Sequence, residues 1–421
     1  MLTKEDNDRL TRVGPGTPMG ELMRRYWLPI AISADIGERP VARRLLGEDL
    51  VVFRSGDGKV GVVDRQCKHR RADLLVGVCE KSGIRCGYHG WMYAHDGKVI
   101  EQPAEPRLNP RVQIKAYPAQ ELGGLVWTYM GPAPAPLLPH FDLFVWDDAL
   151  RDIGECVLDF NFMQAMENSV DPHHVEWLHG RFMNAHNAIE DNGKEPVQVL
   201  ARKHVKVGFD PFEYGIIKRR VLEGQTEDDE DWKVGHPLVF PIMLRVGGGG
   251  MDQFQIRVPI DDTHTWHLWY TAYRPKTTFS PQAKVPRYDV PLFDASGARI
   301  VDFVDGQDIA AWAGQGAIAD RSLETLGASD VGVVMLRRMF LEQLKRVEAG
   351  LDPLGTVRDP DLNGCIDLPM EQNKYGSGAA FRDELFAHQA VRYSPIRDTV
   401  QSLFRQAESR SASMPVSTAM A

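Results

Sequence analysis

Two short stretches each put one thiol and one imidazole on a tight turn. Cys67-x-His69 and Cys86-x-x-His89 are separated by 16 residues. Two such loops can grip one metal ion or one two-metal cluster. Tetrahedral zinc is one reading, since two Cys and two His satisfy it. Zinc fingers, however, group Cys with Cys and His with His. One of each per loop suits a [2Fe–2S] cluster with both thiolates on one iron and both imidazoles on the other. Neutral imidazoles make such a cluster less negative and raise its potential, so it can accept electrons from a ferredoxin or a flavin. Cys79, Cys156 and Cys365 fall outside the pattern and read as ordinary thiols.

A second constellation lies in "NFMQAMENSVDPHHVEWLHG". Glu167, Asp171 and His174, at spacings of four and three, share one stripe of a helix. Glu167 and Asp171, with Asn168 beside them, are candidate catalytic residues. His179 follows His174 by five residues, about 140° around a regular α-helix. Both imidazoles reach one metal only if the turn loosens, by a π-bulge or by ending at Gly180. Two His with one distant carboxylate would form the facial triad of non-haem Fe(II) oxygenases, with open positions for O2 and substrate. His173 points roughly 100° away and reads as a structural or orienting residue.

"CKH" and "CGYHGW" resemble the two loops of the Rieske motif. Asp-x-x-His-x4-His, about 80 residues later, is similar to the catalytic-domain signature of Rieske non-haem iron oxygenases. "RVGPGTPMGELMRRYWLPI" and "QDIAAWAGQGAIADRSLETLGASD" look like the phthalate dioxygenase branch of that family, so the resemblance spans nearly the whole chain. It implies a catalytic domain of helix-grip fold and oxygenase subunits of one kind in trimers or stacked trimers. It also implies a Rieske [2Fe–2S] cluster on Cys67, His69, Cys86 and His89, and a mononuclear Fe(II) on His174 and His179. Asp308 in "DGQDIAAW" matches the third ligand's position; Asp305 is its rival one turn earlier, and Asp320 and Glu324 are lesser candidates. Asp171 is implied to bridge a Rieske histidine of a neighbouring subunit to an iron-bound histidine. The chain departs from the family where Lys68 replaces a common proline and Arg71 a common glycine, which bears on the cluster's potential and on the face offered to the reductase.

The elements that must carry these residues fall into two regimes. With 421 residues, 43% of them hydrophobic, the chain exceeds what one core usually organises. After a helical segment (1–40), residues 41–135 are short β-patterned pieces such as "EDLVVFRSGDGKVGVVD", a small all-β module. The proline-rich "MGPAPAPLLPHF" suits an extended connector. Residues 136–408 read as α+β: a helical pattern at 160–180, strand-like runs at 198–209, 213–222, 238–246, 253–260 and 264–273, and a helical region over 303–349. The small, polar tail 409–421 is expected to lack structure.

Charge and hydropathy exclude other classes. A net charge of −9 with no basic stripe argues against a nucleic-acid surface. No apolar run approaches a membrane span and the N-terminus lacks signal-peptide order, so a cytoplasmic protein with reduced thiols is expected. The expected reaction uses electrons from NAD(P)H, delivered by a separate reductase or ferredoxin, to activate O2 and to hydroxylate or O-demethylate an aromatic acid of lignin or phthalate type. A cis-diol-forming ring dioxygenase is the alternative, and a Rieske-type electron carrier is the alternative from another class. Trp266, Trp269 and Arg245 are the candidate substrate contacts, with Phe240, Met243 and Tyr270 as further ring neighbours. Arg257 is a second candidate partner for a substrate carboxylate, although alternation sets it opposite Phe254, Ile256 and Val258 and solvent exposure is the favoured expectation; Gly247–Gly250 are expected to form a flexible loop.

Overall fold

The protein's computed structural model describes residues 2–190 and 198–413. Two helices, Lys4–Thr11 and Pro18–Met23, open the chain, and Leu10, Met19, Leu22 and Met23 sink into the main core. The segment 1–40 is not helical throughout. Trp27–Ile32 is a wholly buried strand that pairs antiparallel with Leu125–Tyr129, so the two ends of the β-rich region close on each other.

Between them lie two small four-stranded antiparallel sheets. One pairs Val41–Leu45, Glu48–Arg54, Val60–Asp64 and Ala116–Tyr117; the other pairs Val78–Glu80, Gly83–Arg85, Met92–Tyr93 and Val99–Glu101. Val51, Phe53, Val63, Ile84, Tyr93 and Ile114 form their shared core, with Cys67 and Cys86 at its edge. Residues 131–140, around the prolines, form no helix or strand.

Beyond the prolines an eight-stranded sheet dominates. Seven strands pair antiparallel, and Arg287–Asp289 adds to Leu150–Leu158 in parallel. The run expected over 238–246 is two strands, His236–Val239 and Met243–Gly248. Alternation sorts the next strand, Met251–Asp261: Phe254, Ile256 and Val258 enter the main core, while Gln253, Gln255 and Arg257 take the opposite face. Gly249 and Gly250, both at positive φ, form the tight turn of the hairpin between these strands. Only glycine adopts such a pair of conformations readily, so this is a fixed turn and not a loose loop. The helical region over 303–349 is two helices, Val304–Gly314 and Val331–Glu348, separated by a loop. Within the expected tail, 409–413 continue a helix begun at Arg397, and 414–421 lie outside the described residues.

Candidate metal centres and substrate pocket

The first site sits on two loops of the β-rich region. The Cys67 loop closes through Arg71 N–H donating to the Cys67 carbonyl, and the Cys86 loop through Gly90 N–H donating to the Cys86 carbonyl. The two closures match, and each closing residue is left-handed, Gly90 at φ 75° and Arg71 at φ 60°. Arg71 thus adopts a conformation natural to glycine, at a cost of about 1 kcal/mol or more.

The two histidines meet each other, and so do the two cysteines. The His69 and His89 rings lie 4.4 Å apart, and His69 stacks on Trp91 at 4.6 Å with the planes 7° from parallel. Tyr93 Oη is 3.1 Å from Cys67 Sγ and accepts from Lys68 N–H at 3.1 Å. Two observations fit this set to a metal cluster. His69 Nδ1 is buried with no hydrogen-bond partner among the described residues. Cys67 and Cys86 are buried, and burial pushes the Cys67 thiol up, so a thiolate there needs a metal to hold it. Tyr93 escaped sequence reasoning, although it stands just past the second loop in "YHGWMY". Lys68, Arg70 and Arg71 are exposed cations of the first loop; Arg70 lies over the Tyr88 ring, and Lys68 and Arg71 approach Asp64.

The second site is built from two helices that approach from opposite ends of the catalytic sequence. Asn161 caps the helix Phe162–Asn168 by accepting from Met163 N–H. After a break at Pro172 the chain enters a π-helix, Val175–Phe182. Its i→i+5 hydrogen bonding places residues five apart on one face, which brings His179 beneath His174. Gly180 is required for packing: a Cβ there would stand 2.4 Å from the Ala201 Cα.

Asp308, on the helix Val304–Gly314, completes the cluster. Its Oδ1 lies 3.2 Å from His179 Nε2 and 3.6 Å from His174 Nε2, and ligand atoms of all three residues fall within 4.8 Å of one another. His179 Nδ1 is 3.0 Å from Gln307 Oε1, and His174 Nδ1 contacts the Asp171 backbone carbonyl. Both Nε2 atoms therefore face the gap at Asp308. Asn168 Nδ2 donates to Asp308 Oδ1 at 3.3 Å. Burial lowers the His174 imidazole to about 4. Burial also draws His179 down, but Asp308 and Gln307 outweigh it and raise that group. Burial raises Asp308 less than the two imidazoles lower it, so it stays a carboxylate. A neutral imidazole, a polarised one and a carboxylate around one gap are a donor set suited to a divalent transition metal with open positions.

Asp305 is not brought to this cluster. Its carboxylate accepts from Trp269 Nε1 at 2.8 Å, Gln255 Nε2 at 3.2 Å and the Ala390 N–H at 2.7 Å. Glu167 also turns away, contrary to the catalytic role expected of it. Arg321 grips both its oxygens at 2.7 and 2.8 Å, Arg337 adds a third bond, and Arg337 also takes up Glu324. A stripe on a helix fixes direction, but these arginines lie more than 150 residues away. Asp320 is exposed and accepts from Ser322.

The expected substrate contacts are displaced as well. Arg245 is buried against Asp142 and Asp252 at 2.6 and 3.3 Å. It points to the face opposite Leu244 and Val246, which do line the cavity at the triad. Trp266 donates to Glu155, Trp269 is buried behind Asp305, and Phe240, Met243 and Tyr270 belong to the main core. Arg257 is fully buried, with its guanidinium on Gln255, and does not reach solvent.

The cavity beside His174, His179 and Asp308 has a different lining. Val175, Leu200, Leu244, Val304, Phe381 and Leu385 supply apolar wall, while Lys218, Arg220, His236, Lys374 and Tyr375 supply a polar one. Lys218 and Arg220 alternate onto one face of the strand Gly215–Leu222, and Lys218 lies opposite His236 on the next strand. The signal was present in "IIKRRV", where two cations share the face of the buried Ile216.

Comparison with known proteins adds sequence and fold relationships. Residues 26–118 match the family described as Rieske [2Fe-2S] domain, and 296–364 match the family described as LigXa C-terminal domain like. The 5,5'-dehydrodivanillate O-demethylase oxygenase subunit of Sphingobium sp. strain SYK-6 is 42% identical over 380 residues, covering 88% of this chain and 87% of that one. The phthalate 4,5-dioxygenase oxygenase subunit of Pseudomonas putida is 35% identical over 398 residues, covering 85% and 89%. Among solved structures, Pseudomonas putida CBB5 NdmA superposes with a TM-score of 0.58 at 20% identity, covering 78% of this chain and 93% of that one. Among the described residues no helix is long and apolar enough to cross a membrane.

Proposed function

The chain belongs to the Rieske non-haem iron oxygenases as an oxygenase subunit, and from that premise we propose that it O-demethylates or hydroxylates a methoxylated or phthalate-type aromatic acid. The observation that carries this reading is the lining of one cavity: an apolar wall, a cationic wall of Lys218, Arg220 and Lys374, and the His174–His179–Asp308 cluster. Aromatic acids present one apolar and one anionic surface, and this cavity complements both.

In this reading Cys67, His69, Cys86 and His89 hold the [2Fe–2S] cluster, and His174, His179 and Asp308 hold the mononuclear Fe(II). The cluster supplies single electrons, drawn from NAD(P)H through a reductase or ferredoxin, and the mononuclear iron supplies O2 activation. The protein's own residues orient and exclude. Gln307 and the Asp171 carbonyl fix the two imidazoles, and Asn168 fixes the Asp308 carboxylate. The apolar wall keeps water from the reacting ring.

Asp171 has a free side. Its carboxylate accepts from the His173 N–H at 3.0 Å, lies 3.8 Å from His174 Nδ1 and is partly exposed. The exposed cations Lys68, Arg70 and Arg71 around the Rieske loops are complementary to it. Both features support a trimer in which a neighbour's His89 meets Asp171. One subunit type defective at Cys86 and another defective at His179 should then regain partial activity when mixed.

The deciding experiment supplies reductase, NADH and labelled O2 with methoxybenzoates, methoxylated biphenyl acids and phthalates. Stoichiometric formaldehyde with a free phenol supports O-demethylation. A cis-dihydrodiol carrying both labelled atoms establishes the alternative that the phthalate dioxygenase relative favours.

A further inference from the structure

The cationic wall has an internal charge account. Arg220 donates to Tyr375 Oη at 2.8 Å and lies 3.7 Å from Glu371 and 3.9 Å from Asp231. Lys374 is 3.2 Å from Glu371, and His236 Nδ1 is 2.8 Å from the same carboxylate. Asp231 accepts from the Tyr375 N–H at 2.8 Å, which anchors the segment carrying Lys374. Lys218 stands apart. It is 4% exposed, faces the cavity, and among the described residues its ammonium has no hydrogen bond and no ion pair.

Glu371 and Asp231 thus serve Arg220 and Lys374, Asp171 and Asp308 stand further off, and Lys218 is the cation of the three with no carboxylate in ion-pair contact among the described residues. An ammonium on a nearly buried side chain, without a protein partner, is costly to keep charged unless a ligand provides one. Burial, then Arg220 and Lys374, press Lys218 toward its neutral form, while Asp171 and Glu371 oppose them. An anion arriving beside it relieves that pressure.

We infer that Lys218 anchors a single substrate carboxylate, so that the cavity seats one carboxylated ring and leaves any second carboxylate outside. This rests on the aromatic-acid reading and narrows it. Arg220 and Lys374 are already engaged, so a second buried carboxylate finds no free cation among them. Monocarboxylates and diacids should then bind alike, and removal of the last carboxylate should be the step that costs affinity.

The test uses the iron-loaded enzyme without O2 and three ligands: a methoxylated biphenyl dicarboxylate, its monomethyl ester and its dimethyl ester. Calorimetry should give the diacid and monoester dissociation constants within about threefold of each other. The diester should bind roughly 10- to 100-fold more weakly, as expected for one charge-assisted hydrogen bond. In Lys218→Met, with its Rieske absorption intact, the monoester-to-diester ratio should fall to about one. A diacid bound more than tenfold better than the monoester, equal binding of all three, binding of none, or a ratio unchanged in Lys218→Met would each overturn the inference. Formaldehyde release from the same ligands with reductase and O2 tests the reaction separately. A Lys218-dependent preference without formaldehyde sustains the anchor and removes the O-demethylation reading. Formaldehyde with equal binding of all three does the reverse.

Discussion

Asp305 and Asp308 sit three residues apart on one helix, and the proposed function gives them opposite tasks that a pair of alanine substitutions can separate. Asp305 satisfies three buried donors: Trp269 Nε1, Gln255 Nε2 and the Ala390 N–H. Leaving one buried donor unmet costs roughly 1–3 kcal/mol. Burial pushes the Asp305 carboxyl up to about 6, so its removal also relieves part of a desolvation penalty. The net loss expected for Asp305→Ala is about 3 kcal/mol, or a fall of roughly 6–12 °C in the melting temperature of the catalytic region. Protein that remains folded should keep its mononuclear iron. Asp308→Ala should show the reverse, with little change in melting and loss of the mononuclear iron while the Rieske spectrum persists. Thermal unfolding followed by near-ultraviolet circular dichroism, beside iron analysis of each variant, reads both quantities. The reasoning fails if Asp305→Ala melts with the parent, or if it loses iron that Asp308→Ala retains.

Three further perturbations follow from described contacts. Glu167→Gln strips the shared charge from the buried Arg321 and Arg337, and urea titration should show a loss of about 3–5 kcal/mol; a change under 1 kcal/mol would remove Glu167 from that structural role. Gln307→Leu removes the partner of His179 Nδ1, so mononuclear iron should dissociate into a chelator with affinity reduced about 10- to 100-fold, and an unchanged affinity would refute the orienting role. Asp152 is buried on Ser394 and Tyr273, and burial raises its carboxyl to about 7. The folded state favours the protonated acid, so this stability is complete below about pH 4 and is lost as pH rises to about 7, a span worth up to about 4 kcal/mol. Asp152→Asn should flatten that slope and exceed the parent in melting temperature at pH 8; an identical pH profile in both proteins would count against it.

The residues of the two candidate metal centres could be singled out because ligand chemistry constrains residue type and spacing together. A Cys-x-His facing a Cys-x-x-His, or two His five apart, are unusual patterns with few uses. Most strand runs of the large sheet were legible from alternation, but Leu150–Leu158 and Arg287–Asp289 escaped it, residues 198–203 precede the strand expected there, and His236–Val239 and Met243–Gly248 divide around Phe240 and Pro241. The cavity wall was legible only in part, in the two cations of "IIKRRV". Alternation says that Arg245 and Leu244 face opposite ways, but only the folded chain says that Leu244 faces the cavity and Arg245 faces Asp142. Lys218, Arg220 and Lys374 come together through strand pairing and a segment some 150 residues later, and no local pattern encodes that meeting. Glu167 failed for the same reason, since its two arginine partners are distant in sequence.

The π-helix between His174 and His179 bears on how this sequence can change over time. Because ligand alignment depends on an extra residue per turn, the number of residues between the two histidines is fixed more tightly than their kinds. Deleting one of the four would restore an ordinary α-helix spacing and leave the helix one residue short of its present registration with Asp308. Replacing one leaves the alignment intact. Val175 faces the cavity while Trp177 is largely exposed, so the same short stretch presents one replaceable position to the cavity and another to the outside. A lineage can therefore retune what the cavity accepts and what the surface meets by substitution alone, within a segment whose length is held constant.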